Sequence, residues 1–413
     1  MNETPGGTLT PVDTARRLIL DGVPRIRGGK RVGLAAAAGR ILASGMRAEI
    51  DVPPFANSAM DGYALRAADA RQSPVTLPVN LRIAAGRDGG SLPAGEAARI
   101  FTGAMMPAGA DAVVIQENCR SGASEVTVLQ PAVPGQHVRG AGDAMRRGEP
   151  LFAAGHRLLP QDIGVLAAAG HAEIPVRRKL RVALLTTGNE LVAPGGALGP
   201  GQIYNGNLHS LSSLLRRLPV KLIDLGITGD NLNDTRTALI DAAGRADCVI
   251  STGGVSVGEE DHVRAAVERE GELRLWKLAI KPGKPLAWGT VRETSFFGLP
   301  GNPVSAFVTF CLIVRPALLA MMGCAAPALA MTPGGYPLPA GFTAPVSGER
   351  QEYLRVSVVA DESGAESVRP DPNQSSGAAS SLSRSDGLLV VPPRTAVRKG
   401  DRLRFIPYSE WLA

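Results

Sequence analysis

Residues 247–270, DCVISTGGVSVGEEDHVRAAVERE, decide how the rest of the chain is read. The apolar, β-branched run from Cys248 to Thr252 ends in Gly253 and Gly254, crosses a turn rich in Ser, Gly and Glu, and reaches the helical spacing of Val263, Ala266 and Val267. Strand, glycine turn, helix is half of a parallel-sheet unit, and the same grammar continues on both sides. Upstream, LRVALLTTG (180–188) reads as strand, NLHSLSSLLRRL (207–218) as helix, VKLIDLGITGD (220–230) as strand and NDTRTALIDAAG (233–244) as helix. Downstream, SFFGLPG (295–301) reads as a strand feeding a long apolar helix. The alternation predicts a doubly wound parallel sheet covered on both faces over residues 179–327, with ligands expected at the carboxyl ends of the strands.

At 413 residues the chain is too long for one core, so an α/β multidomain architecture is expected. The segment TPVDTARRLILDGV (10–23) has helical spacing, with Asp13 or Thr14 as N-cap, and LLPQDIGVLAAAG (158–170) returns to helix. Residues 1–47 and 144–178 are therefore assigned to a small helical linker domain. Between them, residues 48–143 alternate Gly, Pro and short β-prone runs and read as a β-rich domain of hairpins. Strand-like pieces from 328 to 413 (EYLRVSVVA, GLLVVPP, DRLRFIPY) predict a C-terminal β-barrel-like domain.

Composition excludes several classes. Apolar residues at 44% and charged residues at 20% fit a folded globular protein. The net charge of +6 is scattered, with no basic stripe, so nucleic acid is not an expected partner. Cys119, Cys248, Cys311 and Cys324 have no metal or disulfide spacing, which points to a reducing compartment. The N-terminus is polar and lacks a signal core, which predicts a cytoplasmic location. VSAFVTFCLIVRPALLAMMG (304–323) is interrupted by Arg315 and Pro316, leaving less than the roughly 20 residues a membrane span needs. It reads as a buried helix, kinked or ended near that proline.

Chemistry gathers at the predicted strand ends. LLTTGNEL delivers Glu190, LGITGD delivers Asp230, STGGVSVGEED delivers Asp261, and GLPGNPVSA places Asn302 and Ser305 at a helix start. Gly-rich turns before helices suit an oxyanion, and three carboxylates beside it require a divalent cation, for which magnesium is the natural choice. Singly, each acid also reads as a helix cap or first-turn residue; their equivalent positions on successive strands favour a shared site. KLAIKPGKPLAWG (277–289) adds Lys281 and Lys284 in a turn stiffened by proline, either solvated or aimed at an oxyanion. PPFANSAMDGYAL (53–65) packs Asn57, Ser58, Asp61 and Tyr63 between prolines, as a binding loop or a plain hairpin. His137, His156, His171, His209 and His262 form no ligand spacing.

Taken in order, PPFANSAMDGYAL, IFTGAMMPAGADAVV, LLTTGNEL, STGGVSVGEED, KPGKP and GLPGNPVSA closely resemble the molybdopterin molybdotransferase (molybdenum insertase) family of molybdenum-cofactor biosynthesis. The resemblance spans essentially the whole chain. It implies a magnesium-dependent transfer in which adenylylated molybdopterin and molybdate enter and molybdenum cofactor and AMP leave. It also implies a homodimer whose active site lies between the α/β domain of one subunit and the β-rich lid domain of the other, fed by an adenylyltransferase and serving recipient molybdoenzymes, with no nucleic acid and no membrane.

By the same resemblance, Glu190, Asp230 and Asp261 are the acidic, metal-associated set. Lys281, Lys284, Pro285 and Ser305, with Arg350 and Ser376 from the C-terminal domain, hold molybdate, Arg355 being the alternative arginine. Gly253, Gly254 and Ser256 cradle pterin or nucleotide phosphate, with Asn302 beside them. Asp61 and Thr102 are the lid residues needed for activity, and Asp143 belongs to that set. Ala56 stands where the family often has aspartate, and His262 where tyrosine is usual. Two competing readings are a nucleotide-processing enzyme sharing only the α/β domain, and a non-catalytic scaffold.

Overall fold

The computed structural model describes residues 9–255, 262–325 and 334–412. Among these residues, three six-stranded sheets carry the fold. The largest core belongs to the sheet ordered Val220–Thr228, Leu180–Thr187, Cys248–Thr252, Thr294–Leu299, Pro285–Val291, Gly271–Lys277. Its first four strands are parallel, as the alternating grammar predicts. Leu180–Thr187, Cys248–Thr252 and Thr294–Leu299 are buried almost end to end because helices cover both faces. Successive residues point to opposite faces: Val182 and Leu184 join one cluster with Leu211 and Leu215, while Ala183 and Leu185 join another with Leu239 and Val267.

The sheet departs from a purely parallel one at its other edge. Pro285–Val291 pairs antiparallel with Thr294–Leu299, and Gly271–Lys277 pairs antiparallel with Pro285–Val291. The KPGKP turn thus joins the edge strand Gly271–Lys277 to its neighbour Pro285–Val291. Before it does so, Ile280–Lys281 leaves the sheet and pairs in parallel with Gln351–Glu352 of the C-terminal domain.

The long apolar helix does not end at Pro316. It runs from Pro303 to Met321 with a π-helical turn at Phe310–Val314, where the Arg315 N–H donates to the Phe310 carbonyl five residues back. That wider turn just before the proline accommodates the ring without breaking the helix. This helix is long and apolar enough to span a membrane, but 89% of its most apolar window is buried inside the protein.

The N-terminal helix Val12–Gly22 starts behind Pro11, with no side-chain cap from Asp13 or Thr14, and packs Val12, Ala15 and Ile19 into the α/β core. A smaller core combines Ala37, Leu42 and Met46 with Leu158, Leu166, Ile174 and Val176, so two distant segments build one unit. It holds one helix, Pro160–Ala168, together with antiparallel pairings of Gly29–Gly33 with Glu173–Arg177 and Met46–Arg47 with Pro150–Phe152. The sheet of the β-rich segment 48–143 runs Ala112–Ile115, Gly62–Leu65, Ala97–Ile100, Val75–Ile83, Glu125–Val128, Cys119–Ser121. In the C-terminal domain, Gln351–Ala360 pairs with Glu366–Pro370 and Gly387–Val391, Arg402–Pro407 pairs with Tyr336–Pro339, and a bridge from Ala340 to Val368 closes the barrel around Leu338, Val356, Leu389 and Phe405.

Asp247 pins the start of the central strand. Burial alone would raise its pKa, but Arg178 Nη1 and Nη2 donate to it at 2.6 and 3.0 Å and the Arg181 N–H and guanidinium each at 2.8 Å, and these hold it well below the usual carboxylate range. A depressed folded pKa gives stability that is complete above about pH 4 and is lost as pH falls further. Asp247→Ala is expected to cost about 3 kcal/mol, because two cations lose a carboxylate only 10% exposed. Urea melts at pH 7 and pH 3 check this: the deficit should shrink at the lower pH.

Candidate functional site

The carboxyl ends of the parallel strands open into a cavity of about 560 Å³. Threonine and asparagine side chains build its floor. Asn205 Nδ2 donates to Thr186 Oγ1 at 2.8 Å, and Thr186 Oγ1 donates to the Gly226 carbonyl at 3.1 Å. Asn207 Nδ2 donates to Thr252 Oγ1 at 3.0 Å and to the Gly301 carbonyl at 2.7 Å, while Thr252 Oγ1 donates to the Pro300 carbonyl at 3.0 Å. Four strand ends are therefore tied together by side chains. None of Thr186, Thr187, Thr252, Asn205 or Asn207 was singled out from the sequence; the doubled threonine of TTG and the paired asparagines of YNGN are the signals that mark them.

Gly253 and Gly254 line this cavity, both with positive φ (92° and 61°), as the cradle reading requires. Behind them, Thr187 is only 3% exposed and its Oγ1 has no hydrogen-bond partner among the described residues. Glu190 and Asp230 line the same cavity. Neither acts as a helix cap: Glu190 lies in a turn followed by the short strand Leu191–Val192, and the helix after Asp230 is capped by Asn231, whose side chain accepts from the Asp234 N–H at 2.9 Å. Asp230 is half-buried and its N–H donates to Asn189 Oδ1 at 3.2 Å. Asn302, Ser305 and Pro285 also line the cavity. Ser256 and Asp261 lie outside the described residues, and His262 opens the helix His262–Glu270.

Two carboxylates and an unpartnered hydroxyl are hard oxygen donors of the kind magnesium takes. Among the described residues, no group of three or more His, Cys, Asp or Glu side chains converges as a complete metal site. The fit is therefore to a cation that shares its coordination with a ligand.

The basic residues are arranged otherwise than the sequence suggests. Lys281 is exposed and paired with Glu352 at 3.1 Å, and Lys284 is exposed; neither lines the cavity. Pairing of Ile280–Lys281 with the C-terminal domain turns the first lysine toward Glu352. Arg350 donates to the Ile280 carbonyl at 3.3 Å, bracing the KPGKP turn. Arg355 is 1% exposed and donates to the carbonyls of Asn373 and Ser375 and to Ser381 Oγ, so it serves as the internal support of a loop. That loop reaches the site through its backbone: the Ser376 carbonyl accepts from the Val304 N–H at 3.0 Å, and Gly377 lines the cavity.

The candidate residues of the β-rich segment form a separate group. Asp61 Oδ1 accepts from the Thr102 N–H at 2.8 Å and from Thr102 Oγ1 at 2.7 Å. These bonds, the backbone one foremost, hold its carboxyl below the usual range, with Arg99 nearby adding to the effect. Arg99 and Arg82 both lie over the Phe101 ring, at 4.8 and 4.7 Å. Asp143 accepts from the Gly140 N–H at 2.6 Å within its own turn. None of these lines the strand-end cavity of the same chain.

Three family models match the chain: the MoeA N-terminal region (domain I and II) over residues 10–170, a probable molybdopterin binding domain over 183–320, and the MoeA C-terminal region (domain IV) over 338–408. A molybdopterin molybdenumtransferase of Haemophilus influenzae is 42% identical over 314 residues, covering 76% of this chain and 78% of that one. One from Nostoc sp. is 34% identical, covering 93% and 91%. Among solved structures, the molybdopterin biosynthesis moeA protein from Pyrococcus horikoshii OT3 superimposes with a TM-score of 0.81 at 29% identity, covering 97% of this chain and all of that one.

Proposed function

This chain belongs to the molybdopterin molybdenumtransferase family, and on that premise we propose that it inserts molybdenum from molybdate into adenylylated molybdopterin, releasing AMP, at the strand-end cavity. The observation carrying this reading is the meeting of Gly253 and Gly254, a positive-φ glycine turn at a strand end, with the carboxylates of Glu190 and Asp230 around one cavity. Glu190, Asp230 and the unpartnered Thr187 hydroxyl would hold magnesium, with Asp261 completing the acidic set. Magnesium, when bound, supplies Lewis-acid polarisation of the pyrophosphate and neutralises charge on the leaving AMP.

The chain's own groups do the rest. The threonine–asparagine floor fixes the strand ends, so the carboxylates keep their positions as charge develops. Ser305 and Asn302, at the start of the long helix, face the molybdate end, with Gly377 closing the side. Lys281, Lys284 and Arg350 sit on the adjoining turn, where they attract anions; exchange of Glu352 for molybdate would turn Lys281 into a direct contact. Asp61 stays ionised through Thr102 and serves as an acceptor.

Catalysis in this reading takes place in a cytoplasmic homodimer, with Asp61 and Thr102 supplied by the partner subunit's lid. A chelator-treated enzyme should lose transfer and regain it with magnesium; undiminished activity without a divalent cation would overturn the metal assignment. Sharing is tested by mixing. Asp61→Asn and Asp230→Asn should each be nearly inactive, and refolding the two variants together should restore about a quarter of wild-type activity if the subunits form a symmetric dimer. No recovery would mean that each chain works alone.

A further inference from the structure

A second cavity of about 630 Å³ lies away from the strand ends and shares no lining residue with the first. It sits where the middle of the long helix, the segment around Gly155 and the C-terminal helix Ser409–Leu412 meet. Leu312 and Leu319 give it apolar wall, and Arg157, Arg315, Glu410 and Trp411 give it polar groups.

Arg315 lies within the buried helix, and its Nε has no hydrogen-bond partner. Among the described residues no carboxylate lies within ion-pair distance of it. Trp411 is 2% exposed, and its indole N–H is also without a partner. The half-buried Arg315 guanidinium and the buried Trp411 indole thus each keep one N–H donor unsatisfied, which disfavours the empty cavity. Both groups border one cavity, where a single ligand could satisfy them together. Arg157 contributes a second positive charge; burial and Arg157 push the Arg315 pKa down, and Glu410 partly opposes them. Among the described lining residues Glu410 is the one carboxylate, set against the guanidinium groups of Arg157 and Arg315, an excess of one positive charge before His156 is counted.

We propose that this cavity binds a small organic monoanion, its acid group against Arg315 and the indole N–H of Trp411 and its apolar body against Leu312 and Leu319. The net charge sets the monoanion, and the mixed lining sets the amphiphilic shape. The inference does not depend on the reaction assigned to the first cavity.

The test uses the full chain and 1-naphthoate, a carboxylate on a flat apolar body, with neutral 1-naphthamide as its isostere, followed by calorimetry. Naphthoate should bind saturably and at least ~10-fold more tightly than the amide. Arg315→Met should weaken it at least ~10-fold, and Trp411→Phe should weaken it several-fold. Arg315→Met removes a half-buried charge and keeps most of the length of the side chain, so it should melt close to wild type and keep molybdenum transfer within about twofold. Equal binding of acid and amide, unchanged binding by Arg315→Met, or no saturable binding up to ~10 mM would each overturn the proposal.

Discussion

Asp230→Asn is expected to lower molybdenum transfer by about 10²–10³-fold, the usual effect of removing one preorganised charge from a reaction site. It should leave stability within about 0.5 kcal/mol, because the side chain caps no helix: Asn231 does that, and the backbone contact to Asn189 is kept. The substitution keeps the shape and deletes the charge, so the result reports on charge alone. Single-turnover assays with adenylylated molybdopterin and molybdate, beside thermal melts of both proteins, check the pair of outcomes. Activity within threefold of wild type would remove Asp230 from the site.

Gly253→Ala should have a comparable effect by a different route. At φ 92° an L side chain is strained, at a cost of roughly 1–3 kcal/mol. The added Cβ would lie 2.4 Å from the Thr187 carbonyl and 3.0 Å from Thr187 Oγ1, so the end of the central strand must shift. A displacement of about 1 Å in a positioned group costs on the order of 10²-fold in rate. Gly206 lines the same cavity at the first position of its helix, and a Cβ there meets nothing within 4 Å. Gly206→Ala should therefore stay close to wild type in both melting and transfer. Equal loss in the two variants would show general intolerance of the cavity wall, and wild-type activity in Gly253→Ala would remove the glycine cradle.

Much of this was legible in the chain because it depends on neighbours in sequence. The alternation from Leu180 to Leu299 predicts the parallel strands, since buried runs and amphipathic helices are local patterns. The same alternation placed Glu190, Asp230, Gly253 and Gly254 at strand ends, and these meet at one cavity. The closed C-terminal barrel followed from short strands between turn residues. The buried helix and an irregularity near Pro316 were legible, but not that the helix continues past it: proline usually ends a helix, and the π turn that absorbs it has no composition of its own.

The basic residues mark the limit of that reading. KPGKP carries two lysines three apart, and nothing adjacent says which way they face. Lys281 is turned by a strand pairing with residues 71 positions later, and Glu352 meets it there. Arg350 and Arg355 looked interchangeable, yet one braces the KPGKP turn from outside and the other supports the loop ending at Gly377 from within. By itself, the sequence determined the strands and helices of the α/β unit's parallel half, the glycine turns and the acids at strand ends, because propensity and periodicity act over a few residues; the order of the strands came from the fold. Only the tertiary structure decided which cations are already paired, which hydroxyl is left without a partner, and that a second cavity holds an arginine whose Nε has no hydrogen-bond partner among the described residues. Those outcomes depend on contacts across tens to hundreds of residues, where burial and Coulomb energy are set by folding.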